Sequence, residues 1–252
     1  MTEKKNILDH SIFSKISNIT KCLWVNRDRI VATGKVLDPP KNVILRYKPE
    51  NGIFNFEFGI SGLSDFISAI SAFKKITLDY QEPILKIKSE DSNSMLTYRT
   101  TKKEILQEKV IESTNLGEKL MEQSKKLIDN NKHCSFTITD DMMTRIIKMG
   151  RHISSGTSAK INFRKVASDD VVLITIQHKD SIIEFSSSIE IENPGSIIEF
   201  DHEFNVDCLL PGEWKLNVFN STIEHAGNQI PTIWTYMSNN EDMEMIITHD
   251  NK

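Results

Sequence analysis

The sequence predicts an α+β protein of two domains, each built from short antiparallel strands with a few amphipathic helices. Three observations lead there. Strand-length apolar or alternating runs recur along the whole chain and are bounded by turn residues. A smaller number of stretches repeat their apolar residues at helical spacing. The order helix, strands, second helix, strands occurs twice, on either side of a strand-free segment, as an internal duplication of architecture.

The elements follow in chain order. Residues 7–19 read as a helix whose apolar stripe is Leu8, Ile12, Ile16 and Ile19, with Phe13 on the flank. Strands are expected at residues 22–25, 29–36, 43–47 and 53–58, punctuated by Asp38-Pro39-Pro40 and Pro49-Glu50-Asn51-Gly52. A second helix spans Leu63 to Phe73, with Leu63, Phe66, Ile67, Ile70 and Phe73 on one face. Three short strands, 76–80, 84–89 and 94–100, close the first half. Residues 102–132 are rich in Lys and Glu and lack strand alternation; Leu116, Leu120, Leu127 and Ile128 share about one side of an amphipathic helix there. This stretch reads as an interdomain linker, giving an N-terminal domain 1–103, a linker 104–131 and a C-terminal domain 132–252.

After the linker the order recurs: a strand 134–138, a helix 139–153, then strands 159–166, 171–178, 181–191 and 197–200. A helical turn at Asn205 to Leu210 ends at Pro211-Gly212. Strands 213–219, 231–237 and 243–248 finish the chain.

Composition bounds the function. The 252 residues carry 31 basic and 35 acidic side chains, a net charge of −4. The apolar and charged fractions are those of a soluble globular protein large enough to bury a core. A mildly acidic chain is not a tight DNA binder through its overall field, so a nucleic-acid role requires a local one. Cys22, Cys134 and Cys208 lie far apart without a CxxC pair and read as free thiols in a reducing compartment. No apolar signal-peptide run follows Met1, and no apolar stretch reaches the length of a membrane span, so a cytosolic location is expected.

Sequence support for chemistry is sparse. The seven histidines show no HExxH or HxH spacing, so neither a metal nor a cofactor is expected. Asp201-His202-Glu203 reads as a polar loop before a helical turn, not a ligand set. There is no GxSxG, GxGxxG or Walker A motif. Ser154-Ser155-Gly156-Thr157-Ser158 follows a helix, where the dipole disfavours phosphate, and reads as a turn. Asp169-Asp170 and Glu190 with Glu192 sit at strand ends, where solvation accounts for them.

The helix 139–153 is the most informative stretch. Met142, Met143, Ile146, Met149 and Ile153 fall on one side; Thr144, Arg145, Lys148, Arg151 and His152 fall on the other. Thr139 is placed to cap it, and Asp140 and Asp141 suit the positive end of the dipole. Beyond that first turn the polar face has cations and no acids. A solvated face normally mixes signs for i,i+4 pairing, so phosphate is the first candidate for what this face meets. Lys74 and Lys75 end the second helix of the first half, and Lys4, Lys5, Lys15 and Lys21 cluster around the first. A plain solvated face, with lysines complementing helix C-termini, is the competing reading.

Three segments carry a resemblance. They are the helix Ile138 to Ile153, the run Phe204-Asn205-Val206-Asp207-Cys208-Leu209-Leu210-Pro211-Gly212-Glu213-Trp214-Lys215-Leu216, and Gly62-Leu63-Ser64-Asp65-Phe66-Ile67-Ser68-Ala69-Ile70. Together they resemble the DNA polymerase sliding clamps of T-even-type tailed bacteriophages. The resemblance covers most of the chain. It departs at the charged segment 102–132, where those clamps are proline-rich, and at strand 213–219, which ends in Asn-Val-Phe-Asn without a basic tail.

The resemblance implies duplicated clamp domains with helices lining the inside and antiparallel sheets outside. It implies a homotrimer closed head to tail by strand pairing around duplex DNA, a processivity factor without enzymatic activity. A ring holds DNA by topology, so a weak cationic lining suffices. Arg145, Lys148, Arg151 and His152 would face the DNA, joined by Lys74, Lys75 and Lys15. The replicative DNA polymerase and a clamp loader would be its partners, in the cytoplasm of an infected bacterial host, with no membrane role. Clamps also offer an apolar pocket for a partner's terminal peptide. Leu209, Leu210, Pro211, Trp234 and Tyr236 are the candidates for its wall, with ordinary core positions as the alternative. Two rivals are a β-rich virion subunit without DNA tethering and an enzyme whose site no motif reveals.

Overall fold

The computed structural model describes residues 7–8, 11–17, 20–25, 30–36, 41–47, 56–73, 76–106, 112–153, 159–177, 184–197, 199–225, 228–239 and 243–248. Two compact units divide the chain: unit 1 is Met1–Gly34 with Ile44–Leu116, and unit 2 is Lys35–Val43 with Gly117–Lys252.

The elements of unit 1 run β1 (Ile7–Leu8), α1 (Ser11–Ser17), β2 (Leu23–Val25), β3 (Ile30–Val36), β4 (Lys41–Tyr47), β5 (Phe58–Ile60), α2 (Leu63–Ile70), β6 (Ile76–Gln81), β7 (Ile84–Ser89) and β8 (Met95–Arg99). The ends of β3 and β4 cross into unit 2. A short helix α3 (Lys103–Leu106) follows, then α4 (Glu112–Asp129). Unit 2 continues with β9 (Cys134–Ile138), α5 (Asp140–Ile153), β10 (Lys160–Lys165), β11 (Val171–Gln177), β12 (Phe185–Glu190) and β13 (Phe200–Asn205). A 3-10 turn (Val206–Cys208) leads to β14 (Trp214–His225), β15 (Asn228–Ser238) and β16 (Met243–Thr248).

The duplication is complete at the level of topology. In unit 1 the strands order as β1-β6-β7-β8 and as β5-β2-β3-β4. In unit 2 they order as β9-β14-β15-β16 and as β13-β10-β11-β12. Shifting every strand number by eight turns one pattern into the other. The described strand pairs are antiparallel. Helices fill corresponding places too, α1 matching α5 and α2 matching the 3-10 turn.

Each unit closes its core on aromatic rings. In unit 1, α1 meets α2 through Phe13 and Phe66, whose centroids are 5.2 Å apart, and Tyr98 of β8 meets Phe66 edge-on at 5.0 Å. Such edge contacts add to the burial of the rings. In unit 2, Phe163 of β10 lies between Phe136 at 5.7 Å and Phe204 at 5.1 Å.

Several boundaries differ from expectation. Ile7 and Leu8 do not begin a helix; they pair with Thr77 and Ile76 as an edge strand. Of the strand expected at 53–58, residues 53–55 lie outside the described residues, and the described strand here is Phe58–Ile60. The strand expected at 197–200 starts at Phe200 and runs to Asn205, because ladder pairing with β10 outweighs the apolar run Ile197-Ile198. The hairpin of β14 and β15 is longer than expected, extending to His225 paired with Asn228. The stretch expected as a linker is largely helical. From Gly117 on it belongs to unit 2, with Leu120, Met121 and Ser124 buried. Its end is a Schellman cap, in which Asn131 takes φ 55° and Lys132 N–H bonds Leu127 O at 2.8 Å.

A candidate nucleic-acid interface on the cationic helix

α5 forms where periodicity and caps agree. Thr139 accepts from Met142 N–H at its hydroxyl (3.4 Å) and from Met143 N–H at its carbonyl (2.8 Å). Asp140 and Asp141 occupy the first turn, and Arg151 and His152 the last, each matching the dipole. Met143, Ile146, Ile147, Gly150 and Ile153 are buried, while Met142 and Met149 are half-buried. The buried side is therefore wider than the sequence stripe, since Ile147 and Gly150 join it.

Gly150 is where α5 touches the 3-10 turn. A Cβ there would lie 2.5 Å from a γ carbon of Val206. Val206 N–H is held in turn by the carbonyl of Ala159 at 2.9 Å. The helix is thus seated on its buried side, and its opposite face is exposed.

That face carries Thr144, Arg145, Lys148, Arg151 and His152, all exposed. Among the described residues no ion-pair partner faces Arg145, Lys148 or His152. The first three cations follow each other at i, i+3 and i+6, so they climb the helix as a short ladder. Such a ladder suits a repeating row of phosphates better than a single anion.

The other expected contacts fare differently. Lys74 and Lys75 lie outside the described residues. Lys15 belongs to α1, but its side chain is also outside them. The exposed positions of α2 are Ser64, Asp65 and Ser68, which bring no positive charge.

The expected peptide-pocket residues are mostly interior. Leu210 and Trp234 are fully buried, Leu209 and Tyr236 nearly so, and Pro211 alone is exposed. Trp234 Nε1 donates to Ser124 Oγ at 2.9 Å, and its ring stacks on Phe219 at 5.0 Å. Tyr236 donates to Glu244. Leu210 contributes its carbonyl to Trp214 Nε1 at 3.0 Å. Four of the five side chains are thus buried, and Pro211 is exposed. Sequence reasoning did not foresee that Ser124 of α4, in the stretch read as a linker, meets Trp234.

The Asp201-His202-Glu203 run is a strand, not a loop, and strand alternation separates its members. His202 points inward, with Nδ1 2.7 Å from Thr235 Oγ1. Asp201 accepts from Asn162 at 2.6 Å, and Glu203 pairs with Lys160 at 2.7 Å on the other face. Among the described residues no three His, Cys, Asp or Glu side chains converge on one point. Nor is any described helix long and apolar enough to cross a membrane.

Buried groups shift by desolvation. Burial lowers His133 from 6.5, with Lys215 acting in the same direction. Burial pushes the Cys134 thiol up to about 11. Tyr98 is raised above 10.0, mainly by burial.

No protein-family model matches the chain, and no curated protein matches it in sequence. Solved structures do match in fold. A protein described as a DNA polymerase III beta subunit of Eubacterium rectale aligns with TM-score 0.57 at 11% identity over 97% of this chain. The alignment spans 65% of that subunit, so this chain is about two thirds of its length. PCNA of Thermococcus kodakaraensis aligns with TM-score 0.56 at 12% identity, covering 96% of this chain and 97% of that one. PCNA of A. fulgidus, bound to the C-terminal region of FEN-1, gives 0.58 at 12% identity, covering 96% and 95%. The chain has the DNA-clamp fold, an α+β architecture of duplicated units with antiparallel sheets.

Proposed function

We propose that this chain is the protomer of a ring-shaped sliding clamp that encircles duplex DNA and tethers a replicative polymerase, without enzymatic activity of its own. The observation that carries the reading is the exposed one-sign cationic ladder on α5 within a clamp-fold chain of net charge −4. A mildly acidic protein that grips DNA needs such a local field, and a topological grip needs little affinity. Arg145, Lys148 and Arg151 meet the phosphates, and His152 flanks them. Lys15, Lys74 and Lys75 join on sequence grounds alone.

Ring closure follows from sheet edges. Among the described residues β8 and β12 each pair on one side only, with β7 and β11. Head-to-tail pairing of such edges between copies closes a ring of three and removes the liability of open edges. The T-even phage setting, the host cytoplasm and a clamp loader belong to the same proposal and rest on the sequence resemblance.

The test is retention on circular DNA, with the variant Arg145→Glu/Lys148→Glu/Arg151→Glu alongside the parent. All three sites are exposed, so the variant folds. The expected outcome is a trimeric mass near three times 28.9 kDa for both proteins, with loading and polymerase processivity lost in the variant. Unchanged processivity in the folded variant refutes the assignment of these residues. A parent that neither forms a ring nor stays on circular DNA favours the virion-subunit reading.

A further inference from the structure

His133 stands where three pieces of unit 2 meet: the turn from α4 into β9, strand β14, and the connection from β12 to β13. The turn and the connection are stitched together by polar contacts. Asn131 O accepts from Ser196 N–H at 3.2 Å, and Asn131 Oδ1 accepts from the Asn193 side-chain amide at 2.7 Å. Asn193 Oδ1 accepts from Gly195 N–H at 3.0 Å, and Asn193 O accepts from Ser135 N–H at 2.8 Å. Glu192 N–H donates to Ser135 O at 2.9 Å. Gly195, at φ 52°, lies so close to the turn that a Cβ on it would collide with His133 O. A shift of the His133 main chain is therefore passed directly to the connection. Asn131, Pro194 and Ser196 are exposed, so this clasp is polar and open to water. A segment held in that way opens locally more easily than the buried strands beside it.

His133 itself is buried, with its ring 6.2 Å from that of Phe219 on β14. Its Nδ1 is buried with no hydrogen-bond partner among the described residues. The last carbonyls of α4 are already engaged: Lys126 O by Asn130 N–H, Leu127 O by Lys132 N–H and Ile128 O by Asn131 N–H. A proton on the imidazole makes both ring nitrogens donors, so Nδ1 then requires an acceptor. The charged groups of the surrounding elements do not offer one. Lys215 of β14 is a cation, and Glu192 of the connection is held by Lys215 at 3.4 Å. Asp129 and Lys132, in the turn itself, are exposed, and Cys134 alternates to the other side of β9. Burial disfavours the imidazolium most, and the Lys215 ammonium disfavours it further.

We propose that His133 is an acid-operated latch: when neutral it lets the β12–β13 connection close on the α4–β9 turn, and when protonated it releases that connection while β9, β14 and β15 stay paired. Release frees the C-terminal end of β12, one of the edge strands. An effect of acid on ring closure would rest on the clamp reading; the latch does not.

The test is amide hydrogen exchange of the full chain at about pH 7.5 and about pH 5.5, expressed as protection factors so that the intrinsic pH dependence of exchange is removed. Ser135, Gly195 and Ser196 report the clasp, and β14 and β15 report the sheet. In the parent, clasp protection falls at the lower pH by up to about tenfold, the limit for one proton titrating near its ordinary value, while β14 and β15 keep theirs. His133→Gln abolishes the fall. Lys215→Glu, at an exposed site, gives the imidazolium a neighbouring carboxylate and shrinks the fall, which keeps the test decisive if the glutamine variant does not fold. Clasp protection that ignores pH in the parent, an undiminished fall in the folded variants, or a fall shared by β14 and β15 overturns the latch. No readout involves DNA or a ring, so failure here is distinct from failure of the clamp assignment.

Discussion

Gly150→Ala tests how the cationic helix is seated. In an open helix this change stabilises by about 1 kcal/mol, because glycine is a poor helix former. Here the new Cβ would lie 2.5 Å and 2.8 Å from the two γ carbons of Val206 and 2.9 Å from its Cβ. Carbon atoms pack best at about 3.5–4.0 Å, so helix and turn must part by about an ångström. Rotating Val206 relieves the first two contacts and leaves the third, which is anchored to backbone. Overpacking of this kind costs about 1–3 kcal/mol, and the backbone contact places the cost in the upper half of that range. Net of the helix gain, the variant loses about 1–2 kcal/mol. At about 2–4 °C per kcal/mol for a chain of this size, Tm falls by about 2–8 °C. Thermal melts of Gly150→Ala, Val206→Ala and the double variant form the assay. The double variant should be more stable than the sum of its singles by at least about 0.5 kcal/mol, since two of the three clashes are gone. A single variant that melts above the parent refutes the close seating of α5 on the 3-10 turn.

Other expectations follow from burial. His133 is held below its ordinary value by burial and Lys215. The unfolded chain therefore binds a proton first on acidification. The contribution of His133 to stability is full above about pH 6.5 and declines as pH falls toward its folded value; His133→Gln should remove that component from stability measured against pH, and an identical pH profile contradicts it. Cys134 is fully buried with its thiol pushed up to about 11, and Cys208 is buried, while Cys22 is partly exposed. Iodoacetamide near pH 8 should thus modify Cys22 first in the native protein, and mass spectrometry showing early label on Cys134 would contradict the burial. Leu210→Asp places a carboxylate at a fully buried site and should cost more than about 4 kcal/mol. It is expected to unfold unit 2, and a folded Leu210→Asp protein by circular dichroism would show that Leu210 is surface.

Some of this was readable from residues alone, and the reasons are local. α5 has a strong helical period, an oxygen cap at Thr139 and acids in its first turn, so every level of the sequence agrees on it. Its exposed cations were legible for the same reason. β13 was misread because Phe200-Asp201-His202-Glu203-Phe204-Asn205 alternates with a histidine in an inward position. Pattern reading treats His as polar, while the fold gives it a hydroxyl partner in Thr235. α4 was seen as an amphipathic stretch but not as part of unit 2. Its buried side includes Ser124, whose acceptance of the Trp234 indole proton depends on a residue 110 positions away. A polar side chain satisfied by so distant a partner leaves no periodic trace.

The duplication itself shows what selection could change on a constant frame. Strand order is the same in both units, so the sheets set where each helix goes. The helices then diverge in length and charge. α1 spans seven residues, with the Ser17 hydroxyl donating to the Ser14 carbonyl at 2.8 Å, while α5 spans fourteen and carries the cationic ladder. α2 is a helix of eight residues, yet its counterpart is a three-residue 3-10 turn. Shortening that element brings Val206 against Gly150, and only glycine on α5 allows so close an approach. The short turn and the small residue are therefore one feature: together they hold the longer helix down on its apolar side, with Arg145, Lys148 and Arg151 exposed on the other. An alanine at position 150 would disturb the turn before it touched any charge, which makes that contact the structural condition for the placement of the exposed cationic face.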